Sequence, residues 1–235
     1  MKIKWFPIWA TASVLAIAVI SLAWWDANDV LHSALGLIAA VTGMMYTMLA
    51  GRGKIACYAF GLDNAPIYAY LAYRWGYYGD MALNLYYFVM MFPGIVCWRR
   101  NQAEASGGEI VRTALPGKMR VVWGLSLVVA ALVLYAVLLA VGGNRPLCDA
   151  LTNVLSVAAM ILTVKRCIEQ WVMWIAVDAI EMFMWWHTGE TSMAILAMWT
   201  LFLADGIYLF HLWIAEFRKG RVVPASREPQ NEAMH

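Results

Sequence analysis

The sequence predicts an all-α polytopic membrane protein with eight transmembrane helices, and three observations carry that prediction. Of its 235 residues, 63% are apolar or aromatic and 14% are charged, where soluble domains run about 45–50% apolar and about 25% charged. The apolar residues fall into eight stretches close to the roughly 20 residues a helix needs to cross the hydrocarbon core. The Lys and Arg residues between those stretches separate by side, as in a polytopic protein of fixed orientation. Mean hydropathy is +0.64.

The spans run over 5–25, 29–50, 55–74, 80–98, 119–141, 147–164, 170–187 and 191–216. The first follows Lys2 and Lys4 and, as far as Ser21-Leu22-Ala23, is similar to a signal peptide. It continues into Trp24-Trp25, a pair suited to an interfacial anchor, so residues 1–28 read as an extra amino-terminal helix. Spans two to four form a first bundle over 29–98. The connection 99–118 carries Gly107-Gly108 and Pro116-Gly117, a flexible hinge by composition, and with span five it makes a connector over 99–146. Spans six to eight form a second bundle over 147–216. The polar tail 217–235 is expected to be disordered.

With these spans, 15 of the 17 basic residues lie on one side, and Arg74 and Arg145 lie on the other. Positive charge marks the cytoplasmic face, so both termini are expected in the cytoplasm. The composition also argues against other classes. No dense basic stripe stands apart from the spans to bind nucleic acid. Cys57, Cys97, Cys148 and Cys167 stand singly in or beside apolar stretches, with no C-x-x-C pair, and read as small buried residues rather than zinc ligands or disulfides. No metal or cofactor is expected. Without a nucleophile-base pair, and with loops too short for a catalytic domain, the chain does not read as an enzyme.

A shift of 112 residues places Met81-Ala82-Leu83 on Met193-Ala194-Ile195 and Gly94-Ile95 on Gly206-Ile207. The same shift carries spans two, three and four onto six, seven and eight, with span five left as a connector. Three helices plus one connector is an even number, so the two triplets run the same way through the membrane. Parallel repeats of this kind build transporters with a site at the repeat interface near the midplane.

Asp63, Asp178, Glu181 and Asp205 fall inside spans. Each costs about 2.5–3.5 kcal/mol at a helix centre if ionised, on the order of 10 kcal/mol together. No Lys or Arg inside a span offsets them, so the countercharge is a cationic substrate, a proton or an ion. On span seven Trp171, Trp174, Asp178, Glu181 and Trp185 follow at spacings of 3, 4, 3 and 4, which puts them on one face. Asn84, Tyr87, Met91, Gly94 and Trp98 repeat the rhythm on span four. Two such stripes facing each other form a pocket in which a flat cation stacks on Trp near a carboxylate. Trp199 and Asp205 on span eight complete the candidate set.

The same residue types have plainer uses. Trp5, Trp9, Trp24, Trp25, Trp75, Tyr77, Tyr78 and Trp213 suit an interfacial belt. Asn84 can bridge helices, and Met91 can be packing. Asp63-Asn64-Ala65-Pro66 suits a helix break whose carboxylate caps freed amides. His32, His187 and His211 have no second ligand residue beside them.

The stretch Tyr78-Gly79-Asp80-Met81-Ala82-Leu83-Asn84-Leu85-Tyr86-Tyr87-Phe88, the Gly94 and Trp98 after it, and residues Lys165 to Asp178 around Gln170-Trp171-Val172-Met173-Trp174 resemble the PnuC family of bacterial vitamin-precursor transporters. Asp149, Val154-Leu155-Ser156 and Ile195-Leu196-Ala197-Met198-Trp199 extend the likeness over about residues 30–216. The resemblance implies a SWEET-like fold of two parallel three-helix bundles joined by a connecting helix, plus the extra amino-terminal helix. It also implies a homotrimer in the inner membrane. Members move nicotinamide riboside, or in some branches thiamine, by facilitated diffusion, and cytoplasmic phosphorylation traps the product. Both molecules carry a quaternary aromatic nitrogen, in keeping with the missing countercharge. The chain departs from the riboside pattern with Met91 where a Gln is expected, Asp205 in place of Asn, and Glu181 in place of a small polar residue. Carboxylates there favour a donor-rich ligand such as thiamine. The Gly79 to Phe88 segment is closer to the riboside branch, which places nicotinamide riboside first, thiamine second, and proton-coupled uptake of a similar substrate as a further alternative.

Overall fold

The computed structural model describes residues 5–104, 110–142, 145–186, 193–218 and 222–224. Eight helices follow in order: α1 (Trp5–Ala23), α2 (Val30–Gly51), α3 (Cys57–Arg74), α4 (Tyr78–Glu104), α5 (Gly117–Ala140), α6 (Pro146–Val164), α7 (Glu169–Trp186) and α8 (Met193–Arg218). Two short strands, β1 (Arg112–Ala114) and β2 (Val222–Pro224), pair in parallel. Among the described residues, six helices are long and apolar enough to cross a membrane by length and composition. α3 and α7 fall short because α3 carries Asp63, Asn64 and four tyrosines, and α7 carries Glu169, Asp178 and Glu181.

α2 packs on α3 and α3 on α4; α6 packs on α7 and α7 on α8. Contacts of α4 with α6 and of α2 with α8 close these two triplets into a circuit of six helices, with α1 against α2 and α8 and α5 against α6. α5 buries none of its residues within the chain, which suits a connector that faces lipid. The main core lies inside the circuit at the basic end, around Tyr58, Met91, Trp98, Met160, Trp171, Leu209 and Trp213.

The first helix of each triplet ends in the same way. Gly53 and Arg166 both adopt positive φ, 67° and 60°. Gly53 N–H returns to Ala50 O (2.9 Å) and Lys54 N–H to Leu49 O (2.9 Å), while Arg166 N–H returns to Thr163 O (3.0 Å) and Cys167 N–H to Leu162 O (2.9 Å). This left-handed cap ordinarily calls for Gly. Arg166 holds it because its guanidinium is tied down, by Nε to Val111 O (3.2 Å) and by Nη1 to Cys97 O (3.3 Å) and Cys97 Sγ (3.1 Å).

Four sequence expectations change. α4 does not stop at Trp98 but continues to Glu104, since Arg99-Arg100-Asn101-Gln102 contains no breaker. The expected hinge is anchored over 110–115. Ile110 N–H donates to Gly53 O (3.3 Å), Val111 N–H to Asn101 Oδ1 (2.6 Å) and Thr113 N–H to Arg166 O (2.9 Å), while Ile168 N–H donates to Thr113 O (2.9 Å). The tail is ordered at least over Val222–Pro224, where it pairs with β1. Finally, α3 runs unbroken through Pro66, so Asp63 caps no break; it lies exposed on the face of α3 turned away from Tyr58, Gly61 and Ala65.

Candidate functional site

Helix periodicity sets which side chains can meet, and the two stripes read from the sequence come together at one pair. The Tyr87 ring of α4 stands 6.0 Å from the Trp174 ring of α7 at 61°, an edge contact. Trp174 Nε1 donates to Thr163 Oγ1 of α6 at 3.3 Å, and the Tyr87 hydroxyl lies beside Ser156 of the same helix. Asp178, one turn beyond Trp174, is buried and lies within electrostatic reach of Tyr87, Glu181 and Asp205. Gly206 of α8 lies against this part of α7: a Cβ there would stand 3.2 Å from Ile175 Cγ1 and 3.7 Å, an ordinary contact, from Asp178 Oδ2.

Asn84 and Met91 flank Tyr87 on α4, and both are buried. Asn84 Nδ2 donates to Asp80 O of its own helix at 2.8 Å. Met91 fills the space opposite Gly61 of α3, so it is packed between helices in this state. Glu181 and Asp80 both act on Tyr68 of α3, and Asp80 faces Asp149 of α6. Acidic groups therefore run from the end opposite the basic loops down to Asp178. Between residues 75 and 98, and between 167 and 217, the sequence contains no Lys or Arg.

Three expected members have other partners. Trp171 belongs to the core at the basic end, buried 5.9 Å from the Trp213 ring. Trp199 packs on Phe202 of its own helix at 6.2 Å. Asp205, fully buried, turns to α1, where Trp9 Nε1 donates to its Oδ1 at 2.6 Å and Ser13 Oγ at 3.0 Å. Trp213, expected in an interfacial belt, is fully buried and donates to Gly51 O at 2.8 Å. The side chain of Trp185 and residue His187 lie outside the described residues.

Tyr68, Ser156 and Thr163 join the site without having been expected there from the sequence. Tyr58, Gly61, Ala65, Tyr68 and Ala72 recur at spacings of 3 and 4, a signal that could have found Tyr68. Ser156 and Thr163 lie seven residues apart on one face of α6 and read from the sequence as ordinary small polar residues. Two grooves, of about 420 and 330 Å³, are lined by Ala16, Ile20, Leu196, Thr200 and neighbours and by Glu169, Val172, Phe210 and neighbours. Neither is lined by Trp174 or Asp178.

Comparison with known proteins gives one consistent picture. The chain is 34% identical over 187 residues to the nicotinamide riboside transporter PnuC of Neisseria mucosa, covering 76% of this chain and 71% of that one. It is 31% identical over 216 residues to that of Haemophilus influenzae, covering 91% and 94%. The crystal structure of a vitamin B3 transporter PnuC superposes with a TM-score of 0.77 at 30% identity, covering 93% of this chain and 94% of that one. The model of the nicotinamide mononucleotide transporter family matches residues 33–215, from the start of α2 to the end of α8, and the chain belongs to that family of membrane transporters.

Proposed function

We propose that this chain carries a flat aromatic cation, nicotinamide riboside first, across the bacterial inner membrane by facilitated diffusion. The observation that carries the reading is the grouping of Trp174 and Tyr87 over Asp178 and Glu181, in a stretch of the sequence that supplies no basic side chain. A cation over Trp gains roughly 0.5–2 kcal/mol or more when desolvated, and a buried carboxylate supplies the opposite charge. The relatives named as nicotinamide riboside transporters support the choice of cargo.

The Tyr87 and Trp174 rings are in edge contact, so a ligand that stacks on the side of Trp174 turned to Tyr87 displaces Tyr87. Loading is therefore coupled to a relative shift of α4 and α7, which belong to different triplets. That coupling is what alternating access requires of a site between two rocking bundles. In this orientation the acidic end faces outward and admits the cation, the basic end with both termini faces the cytoplasm, and phosphorylation there traps the product. The chain acts as a homotrimer. Asn84 offers an amide to a hydroxyl.

Thiamine is the second cargo, favoured by the carboxylate of Glu181, which suits an amine donor. Proteoliposomes loaded with the purified chain and given each vitamin separate the two. Trp174→Ala should lower apparent affinity at least tenfold, about 1.4 kcal/mol; unchanged uptake sinks the stacking role. Uptake that follows an imposed pH gradient and collapses with a protonophore would establish proton coupling in place of facilitated diffusion.

A further inference from the structure

The amino-terminal helix lies outside the two triplets, yet it reaches a buried acid next to the site. Trp9 and Ser13 stand one turn apart on α1, and both donate to the same oxygen of Asp205, at 2.6 and 3.0 Å. Tyr208, one turn along α8, packs its ring 5.2 Å from that of Trp9 and fixes the indole. Asp205 is 0% exposed, and its second oxygen, Oδ2, has no hydrogen-bond partner among the described residues. A fully buried carboxylate with one oxygen doubly served and the other unserved is costly unless something else completes it. Asp205 and Asp178 lie within electrostatic reach of each other, so the open oxygen belongs to an acid adjoining the candidate site.

We propose that Trp9 and Ser13 are positioning residues: they hold Asp205 Oδ1 so that Oδ2 remains the acceptor for a hydroxyl or amine group of the bound cation. α1 is then a working part of the carrier rather than an added anchor. The inference rests on the reading of the site as a cation carrier. Two donors fix the carboxylate about its terminal torsion, which a single donor would leave free to turn. A pre-aimed acceptor lowers the ordering cost of binding, so the effect falls on affinity rather than on the rate of the loaded carrier.

The test uses the full chain in proteoliposomes with nicotinamide riboside as the probe. Trp9→Phe and Ser13→Ala should each raise the half-saturating concentration, and together about tenfold, with the maximal rate within about twofold of the parent. Ser13→Thr, which keeps the hydroxyl donor, should hold affinity to within about twofold of the parent. Melting temperatures of the ligand-free proteins in detergent are measured alongside. Variants that melt lower yet keep the parental half-saturating concentration overturn the proposal, as does a Ser13→Thr protein as impaired as Ser13→Ala. If Trp9→Phe does not fold, the Ser13 pair decides alone. A parent chain that neither binds nor moves nicotinamide riboside fails the carrier reading itself, a result distinct from unaffected variants.

Discussion

Trp98 and Trp213 are exchanged between the two bundles. Trp98, from the last helix of the first triplet, donates its indole N–H to Thr163 O near the end of α6 (3.0 Å), and Trp213, from the last helix of the second, donates to Gly51 O at the end of α2 (2.8 Å). Both indoles are fully buried. The last carbonyls of a helix lack intrahelical partners, so each bundle supplies from its own third helix the donor that finishes the other's first.

The two bonds are not equal in consequence. Thr163 O also accepts the backbone N–H of Arg166 at 3.0 Å, whereas the donor that reaches Gly51 O is Trp213. Trp213→Phe should therefore cost more than Trp98→Phe. We expect about 1–3 kcal/mol for leaving the Gly51 carbonyl buried and unpaired, and about half that at Trp98. Thermal denaturation in detergent reads the difference, and equal losses would contradict the unequal partnering.

Small residues on α3 and α4 set how closely these helices approach. A methyl group on Gly94 would stand within 3.0 Å of the Tyr58 ring, itself buried and edge-on to Trp98 at 5.1 Å. One on Gly61 would meet chiefly the flexible end of Met91, with the edge of the Tyr46 ring at 3.0 Å. Gly94→Ala should destabilise by about 1–3 kcal/mol because a packed aromatic ring has nowhere to move, and Gly61→Ala by clearly less. Melting temperatures of the two variants test the order.

The strap over 110–115 is held at its end by Glu169. Its carboxylate accepts Leu115 N–H at 3.1 Å and Arg120 Nε at 2.8 Å. Arg120 is more than half exposed, so losing that partner should cost only about 0.2–1 kcal/mol. Glu169→Ala also strands a backbone N–H, at about 1–3 kcal/mol. Limited proteolysis around residue 115 should accelerate strongly in Glu169→Ala and little in Arg120→Ala.

Cys167 lies in the loop between α6 and α7, fully buried, with its sulfur 3.3 Å from Thr113 Oγ1. Burial pushes its thiol above the ordinary range, outweighing the Thr113 hydrogen bond that pulls the other way. The neutral thiol therefore persists at pH values where an exposed cysteine is partly thiolate. In single-cysteine variants, maleimide at pH 7.5 should label Cys148, which is half-buried, well before Cys167. Labelling of Cys167 should rise only at higher pH; rapid labelling at neutral pH would show that the strap opens.

The sequence by itself determined the eight helices and, except at the end of α4, their ends to within about two residues. A bilayer demands about 20 residues whose backbone groups are all paired locally, so span length is written in composition. Even α3 and α7, whose polar content dilutes their hydropathy, were bounded by the basic loops at one end. The stripes that carry Tyr87 and Trp174 were also legible, because helical periodicity names a face. Periodicity does not name the neighbour that the face meets. Tertiary structure alone sent Trp171 into the basic-end core, turned Asp205 to Trp9 and Ser13, and buried Trp213 against Gly51. The contacts of Asp205 and Trp213 join residues 162 to 196 positions apart, with no local signal to announce them. The docked strap followed the same rule: Gly107-Gly108 and Pro116-Gly117 read as a hinge, while backbone bonds to the loops of both triplets fixed it in place.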